Sequence, residues 1–277
     1  MEKIIIKWIK ENVCRLRETG SGPSVDAYLI IGTKCAVVID GLEKAEGMYD
    51  IVKKMTEKPV CMIVTHGHPD HSGRGMQEFM EAGCRIYISS RDMYMLEERY
   101  GEKLRRENLW ELKDGMEFDL GDTSLKIINM PGHTQGSALV YMEKEKILFS
   151  SDAIGSGGLW MQLKESSPLT DYLKELQKLE DFLELNGSVK IYPGHSQQIR
   201  PYIEKGQDYL DIQYVRELIE MTGNIIGKRL VGDRVEIPME EMKGIRIRSA
   251  KGKLVWDYCY DDLKVIVPGK EKKSEII

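Results

Sequence analysis

Four apolar runs in this chain each stop on an imidazole or a carboxylate. They are "CMIVT" before His66, "LKIINMPG" before His133, "KILFSS" before Asp152 and "VKIYPG" before His195. Short apolar runs bounded by glycine, proline or turn residues read as buried strands. Such strands can deliver the polar residues at their ends to one rim of a sheet. Helical patterns lie between them: "EKAEGMYDIVKKM" (43–55), with Met48, Ile51, Val52 and Met55 on one face, then "SGRGMQEFMEAG", then "SPLTDYLKELQKLEDFLELNG" (167–187). In the last of these Leu169, Tyr172, Leu173, Leu176, Leu179 and Leu183 form one stripe, and Gly187 is the stop signal. Strands alternating with helices predict a layered α/β fold.

The rest of the chain fills in this layout. "AYLIIG" and "CAVVIDG" read as strands joined by a turn at "GTK", and "CRIYIS" and "ALVYME" as further strands. Residues 89–110 read as mostly helical with exposed Tyr94 and Trp110, and residues 200–222 as one long helix. Residues 228–268 read as β-structure, with "IRIRSAKGKLVWDYCY" as a hairpin, followed by a charged tail. The apolar part of that hairpin packs on itself, covers the edge of the fold or makes a homodimer contact. The expected division is a domain over residues 1–225 and a small β extension over residues 226–277.

The segment "VTHGHPDHSG" (64–73) concentrates the chemistry. All five histidines of the chain lie in this turn or at the strand ends: His66, His68, His71, His133 and His195. His66 and His68 are two apart and share a face of extended chain. Gly67 and Pro69 bend the chain and bring Asp70 and His71 alongside. Imidazole nitrogen and carboxylate oxygen bind a borderline cation such as Zn²⁺ at about 2.0–2.2 Å. One turn of this kind can serve two ions.

Composition narrows the partners. The net charge of −5, with acids and bases interspersed, offers no basic face for nucleic acid. No apolar stretch approaches the roughly 20 residues of a membrane span. "MEKIIIKWIKENV" is broken by Lys7 and Lys10 and lacks a signal-peptide pattern. Five scattered cysteines without CxxC spacing read as reduced thiols of a cytoplasmic protein. The expected partner is a small-molecule substrate, not nucleic acid or a membrane.

"THGHPDHSG" resembles the His-x-His-x-Asp-His signature of the metallo-β-lactamase superfamily. "PGHTQGS", "SSD" and "YPGH" resemble its later motifs, in the same order, from about residue 20 to 200. The resemblance does not clearly cover 89–114 or 225–277. It implies a four-layer αββα sandwich with two metals at one edge, as in glyoxalase-II-like metal-dependent hydrolases. By that resemblance His66, His68 and His133 would hold the first ion, and Asp70, His71 and His195 the second. Asp152 would bridge them. Asp40, in "VVIDG", would accept the free ring N–H of a ligating histidine; it reads equally as a turn residue before Gly41. The implied ions are two divalent cations, zinc foremost, with iron or manganese as alternatives.

A pair of cations about 3.5–4 Å apart can share a water and lower its pKa toward neutrality. The expected reaction is attack by the bridging hydroxide on a small thioester, ester, lactone, amide or phosphodiester, with Asp70 taking a proton. "AIGSGGLWMQ" (153–162) reads as the substrate loop, through Gly157, Trp160 and Met161, although Trp160 reads equally as core. Tyr94 or Trp110 could form a lid. The basic glutathione contacts of glyoxalase-II-type enzymes are not matched here. Flavodiiron relatives carry glutamate where this chain has His68. The alternative readings are an iron-dependent, persulfide-dioxygenase-like oxidoreductase on the same fold and a non-catalytic binding protein.

Overall fold

Strands that are apolar on both faces must be covered on both, and this requirement sets the layers. The computed structural model describes residues 3–20, 23–154, 159–161, 163–199, 202–203, 206–230, 232–237, 253–260 and 263–268. The first sheet has seven strands in chain order: β1 (Lys3–Lys10), β2 (Val13–Thr19), β3 (Val25–Ile31), β4 (Ala36–Ile39), β5 (Val60–Ile63), β6 (Ile86–Ile88) and β7 (Leu109–Glu111). Neighbours from β1 to β4 are antiparallel, and those from β4 to β7 are parallel. The second sheet is built from β8 (Glu117–Asp119), β9 (Ser124–Asn129), β10 (Ala138–Met142), β11 (Ile147–Ser151) and β13 (Lys190–Pro193), in the order β13-β11-β10-β9-β8.

Side-chain alternation divides each strand between two cores. In β4, Val37 and Ile39 face the second sheet, while Ala36 and Val38 face outward. In β10, Ala138, Val140 and Met142 face the first sheet, and Leu139 and Tyr141 face outward. Helices α1 (Met48–Met55), α2 (Arg74–Glu81) and α3 (Met93–Tyr100) cover the outer face of the first sheet. Helices α4 (Leu169–Asn186) and α5 (Ile212–Ile226) cover that of the second. The result is the αββα sandwich. Between the sheets Phe149 is fully buried, with its ring centroid 4.8 Å from that of Tyr28. Burial of such a side chain is worth about 1.5–3 kcal/mol.

A third sheet joins β12 (Leu159–Trp160) to the C-terminal strands β14 (Asp233–Ile237), β15 (Lys253–Tyr260) and β16 (Leu263–Pro268), in the order β12-β16-β15-β14. Thus β15 pairs with β16 on one side and β14 on the other. The "IRIRSA" arm of the expected hairpin lies outside the described residues.

Three expected helices are shorter than their patterns. The 43–55 helix starts at Met48, because the amides of Lys44 and Ala45 are drawn to Glu18 Oε2 at 3.0 and 2.7 Å. Gly47 then enters the helix in a left-handed conformation. The 89–110 segment is α-helical only in α3; Gly101, at φ +53°, ends it, and Trp110 lies on β7. Instead of one helix over 200–222, α5 begins at Ile212. Leu210 bridges to Ile191 as extended chain, and Asp211 caps the helix by accepting from the Gln213 amide.

Among the described residues no helix is long and apolar enough to cross a membrane. Cys14, Cys35, Cys61 and Cys84 are free, and burial pushes the thiols of Cys14 and Cys61 up to about 11 and about 12.

Candidate metal centre

The carboxyl ends of β4, β5, β9, β11 and β13 share one rim, where open α/β sheets bind ligands. β5 leads into Thr65 and His66, β9 toward His133, β11 into Asp152 and β13 toward His195. Two donor groups result. The donor atoms of His66, His68 and His133 lie within 4.8 Å of one another, as do those of Asp70, His71, Asp152 and His195. Asp152 touches both groups, its Oδ2 standing 3.7 Å from His133 Nε2 and 3.2 Å from His195 Nε2. His68 Nδ1 and His133 Nε2 approach to 2.8 Å.

Neighbouring groups fix the rings. His133 Nδ1 donates to the Trp160 carbonyl at 2.9 Å, and His195 Nδ1 to the Ser24 carbonyl at 2.6 Å. His71 Nδ1 faces Asp40 Oδ2 at 3.0 Å, and His66 Nδ1 lies 3.2 Å from Thr65 Oγ1. Binding one ring nitrogen in this way leaves the other as a lone-pair donor. His66 Nε2 and Asp152 Oδ1 are buried and have no hydrogen-bond partner. Orphaned buried polar atoms are costly, and a cation would satisfy both. Seven donors in two groups, with Asp152 touching both, fit a pair of cations.

The electrostatics differ between the groups. Burial and the neighbouring imidazoles hold His66 well below its usual range and bring His68 down to about 3, so both are neutral. For His195 burial acts downward, but Asp152 and Asp70 more than offset it and raise the ring to about 10. His71 is likewise raised, by Asp70, Asp152 and Asp40 against burial. Burial pushes Asp70 and Asp152 upward, yet His71 and His195 hold both carboxylates ionised.

Asp40 and Ser151 sit at φ +64° and +45°, a region that disfavours side chains. The strain, roughly 1–3 kcal/mol each, is held by a shared network. Asp40 accepts from the Thr65 amide at 2.7 Å, the Thr65 hydroxyl at 2.9 Å and the Ser151 hydroxyl at 2.8 Å. Gly194 is required by close approach, since a Cβ there would stand 2.6 Å from both Asp152 Oδ1 and His71 Cε1.

Beyond the donors, Met161 is buried and Trp160 half-buried beside His133, while Gly157 lies outside the described residues. Tyr94, on α3, hydrogen-bonds Glu165 and lies beneath the Lys164 ammonium at 5.8 Å, so α3 meets the chain just beyond Met161. Trp110 is a sheet-edge residue under the Arg85 guanidinium rather than a lid. Sequence reasoning missed Ser24, Thr65, Ser151 and Asp92. Ser24 acts through its main chain, which leaves no residue signature. Thr65 and Ser151 flank motif residues and could have been read from them.

The family model described as the Metallo-beta-lactamase superfamily matches residues 20–195. The chain is 28% identical over 222 residues to the acyl-coenzyme A thioesterase MBLAC2 of Gallus gallus, covering 69% of this chain and 77% of that protein. It is 31% identical over 172 residues to a hydroxyacylglutathione hydrolase of Francisella philomiragia, covering 61% of each. A metallo-beta-lactamase from Pontibacter korlensis superposes with a TM-score of 0.63 at 18% identity, covering 80% of this chain and all 100% of that one. A flavoprotein from Thermotoga maritima superposes at 0.56 with 23% identity, covering 79% of this chain and 62% of that one. These two likenesses concern the fold. With its motifs, sandwich and rim of donors, the chain belongs to the metallo-beta-lactamase superfamily.

Proposed function

We propose that this protein is a metal-dependent hydrolase that cleaves an acyl thioester of a small-molecule thiol. The observation that carries the reading is Asp152, a single carboxylate shared by two histidine-rich donor groups. Thioesters are favoured among the substrates open to such a site because two relatives are named for thioester chemistry. His66, His68 and His133 would hold one divalent cation, Asp70, His71 and His195 the other, and Asp152 would serve both. Imidazole and carboxylate donors suit zinc. Such a pair supplies a lowered water pKa and stabilisation of a developing oxyanion.

The chain's own groups do the rest. Asp70 exposes 29% of its side chain against 12% for Asp152, so it is the carboxylate better placed to meet solvent. It takes a proton from the attacking water as the C–O bond forms. The C–S bond then breaks, and the departing thiolate recovers that proton. Trp160 and Met161 form the wall for the acyl group. Residues 1–225 make the catalytic domain, and residues 226–277 an extension whose β16 pairs with β12 beside that wall. The free cysteines among the described residues favour a cytoplasmic setting.

The test is thiol release from an acyl-coenzyme A and an acyl-glutathione, beside a lactone and a phosphodiester. The chain is assayed as purified, after exhaustive chelation, and after zinc is restored. Thioester cleavage should vanish with the metal and return with it, and Asp70→Asn should abolish it with the fold intact. Full activity after chelation would overturn the metal dependence. Cleavage of the phosphodiester alone would overturn the thioester assignment.

A further inference from the structure

Asp92 is only 1% exposed and opens α3, the position of a helix cap, yet its side chain bonds no amide of its own helix. Its carboxylate turns toward the donor loops. Oδ2 accepts from the Gly67 amide at 3.0 Å and from the Thr134 hydroxyl at 2.6 Å, and Oδ1 accepts from the Gly136 amide at 2.9 Å. Gly67 lies between His66 and His68, and Thr134 follows His133. All three contacts therefore fall on the two loops that carry the first donor group.

Seven residues further along the chain, Arg99 holds the other side of the same residue. It donates to the Gly67 carbonyl at 2.9 Å and to the Ser72 hydroxyl at 2.6 Å. Gly67 is thus held by its N–H and its C=O from α3. Both glycines are also needed for closeness. A Cβ at Gly136 would stand 2.6 Å from the Asp92 carboxyl carbon, and one at Gly67 would stand 3.0 Å from the Asp92 carbonyl oxygen.

We infer that Asp92 is a positioning residue for the first cation, fixing the spacing between the loop of His66 and His68 and the loop of His133. The inference rests on the two-cation reading above. It gives the 89–114 segment a role in shaping the centre from beneath. Asp92 touches no residue of the second donor group in these contacts, so its removal should act on one cation and spare the other.

The test uses the full chain loaded with cobalt(II), titrated against a chromophoric chelator, with the ligand-field spectrum recorded at each step. Asp92→Asn keeps the size, but whichever way its amide turns, an N–H faces the amide of Gly67 or Gly136. Lost support of a ligand typically costs about 10–100-fold in metal affinity. We expect the cobalt held by His66, His68 and His133, told from the carboxylate-richer one by its spectrum, to lose affinity on that scale in Asp92→Asn while the other stays within about threefold of wild type. Thr134→Val should weaken the same cation less, and Thr134→Ser, which keeps the hydroxyl, should match wild type. Equal weakening of both cations, or unchanged affinity for both, overturns the inference. If Asp92→Asn does not fold, the Thr134 pair decides: Thr134→Val matching Thr134→Ser overturns it. A wild-type chain that takes up no pair of cobalt ions instead overturns the two-cation reading itself.

Discussion

The first donor group consists of three imidazoles and is oriented by hydroxyl and main-chain oxygens. The second mixes two imidazoles with two carboxylates and leans on a further carboxylate, Asp40. His66 and His68 of the first are therefore neutral, while the second holds protons on His71 and His195 opposite ionised Asp70 and Asp152. The same residue type thus plays two parts. Where carboxylates are near, a cation must displace protons, and where they are absent it meets lone pairs already free.

The largest effect should come from the residue common to both groups. Asp152→Ala should lower kcat/KM by about three orders of magnitude and reduce the bound metal of the purified chain. Retention of two tightly held ions would dissolve the contrast between the groups, since their link would be dispensable. Asp40→Asn should be smaller and uneven, weakening the second cation by about 10–100-fold and the first, which it reaches only through Thr65, by less. Metal titration with a competing chelator reads both.

Proton release sharpens the comparison next. At pH 7 His195, raised to about 10, is protonated in the metal-free chain, whereas His68, at about 3, is not. Cation binding to the second group should release protons, and its affinity should rise with pH. Binding to His66 and His68, already neutral, should release none at pH 7. Calorimetry in buffers of different ionisation enthalpy separates the two. Linkage adds a matching stability trend. In the metal-free chain the raised His195 contributes fully below its ordinary 6.5, and its contribution is lost as pH rises through about 10. The smallest effect belongs to Ser166→Ala, which removes the hydroxyl bond to the His133 carbonyl at 2.9 Å. It should cost about 1 kcal/mol, read as a few-fold loss of affinity for the first cation.

Strand ends were legible because apolar runs buried on both faces are continuous, and each stops where the chain meets solvent and ligand. His66, His133, Asp152 and His195 could be read for the same reason, since they stand at or just beyond those stops, whereas His68, Asp70 and His71 are legible only in the turn that follows. Helix starts were less legible. The 43–47 stretch carries helical spacing, but Glu18, distant in sequence, competes for its amides. Residues 200–211 look helical until the bridge of Leu210 to Ile191 is known. Asp92 was hidden by its own propriety. In "SSRDMYML" an aspartate before a helix signals a cap, and only the packed fold shows that its oxygens are engaged elsewhere. β1 is not legible either, because it is largely exposed and lacks an inward and outward rhythm.

The pairing of β12 with β16 has a consequence for biosynthesis. Trp160, whose carbonyl receives the His133 ring proton, is aligned with Ile266 in that ladder. A nascent chain halted before residue 263 would already carry every donor side chain, from His66 to His195. It would lack the strand beside which that carbonyl lies. Synthesis therefore delivers every donor before the strand that pairs beside that carbonyl.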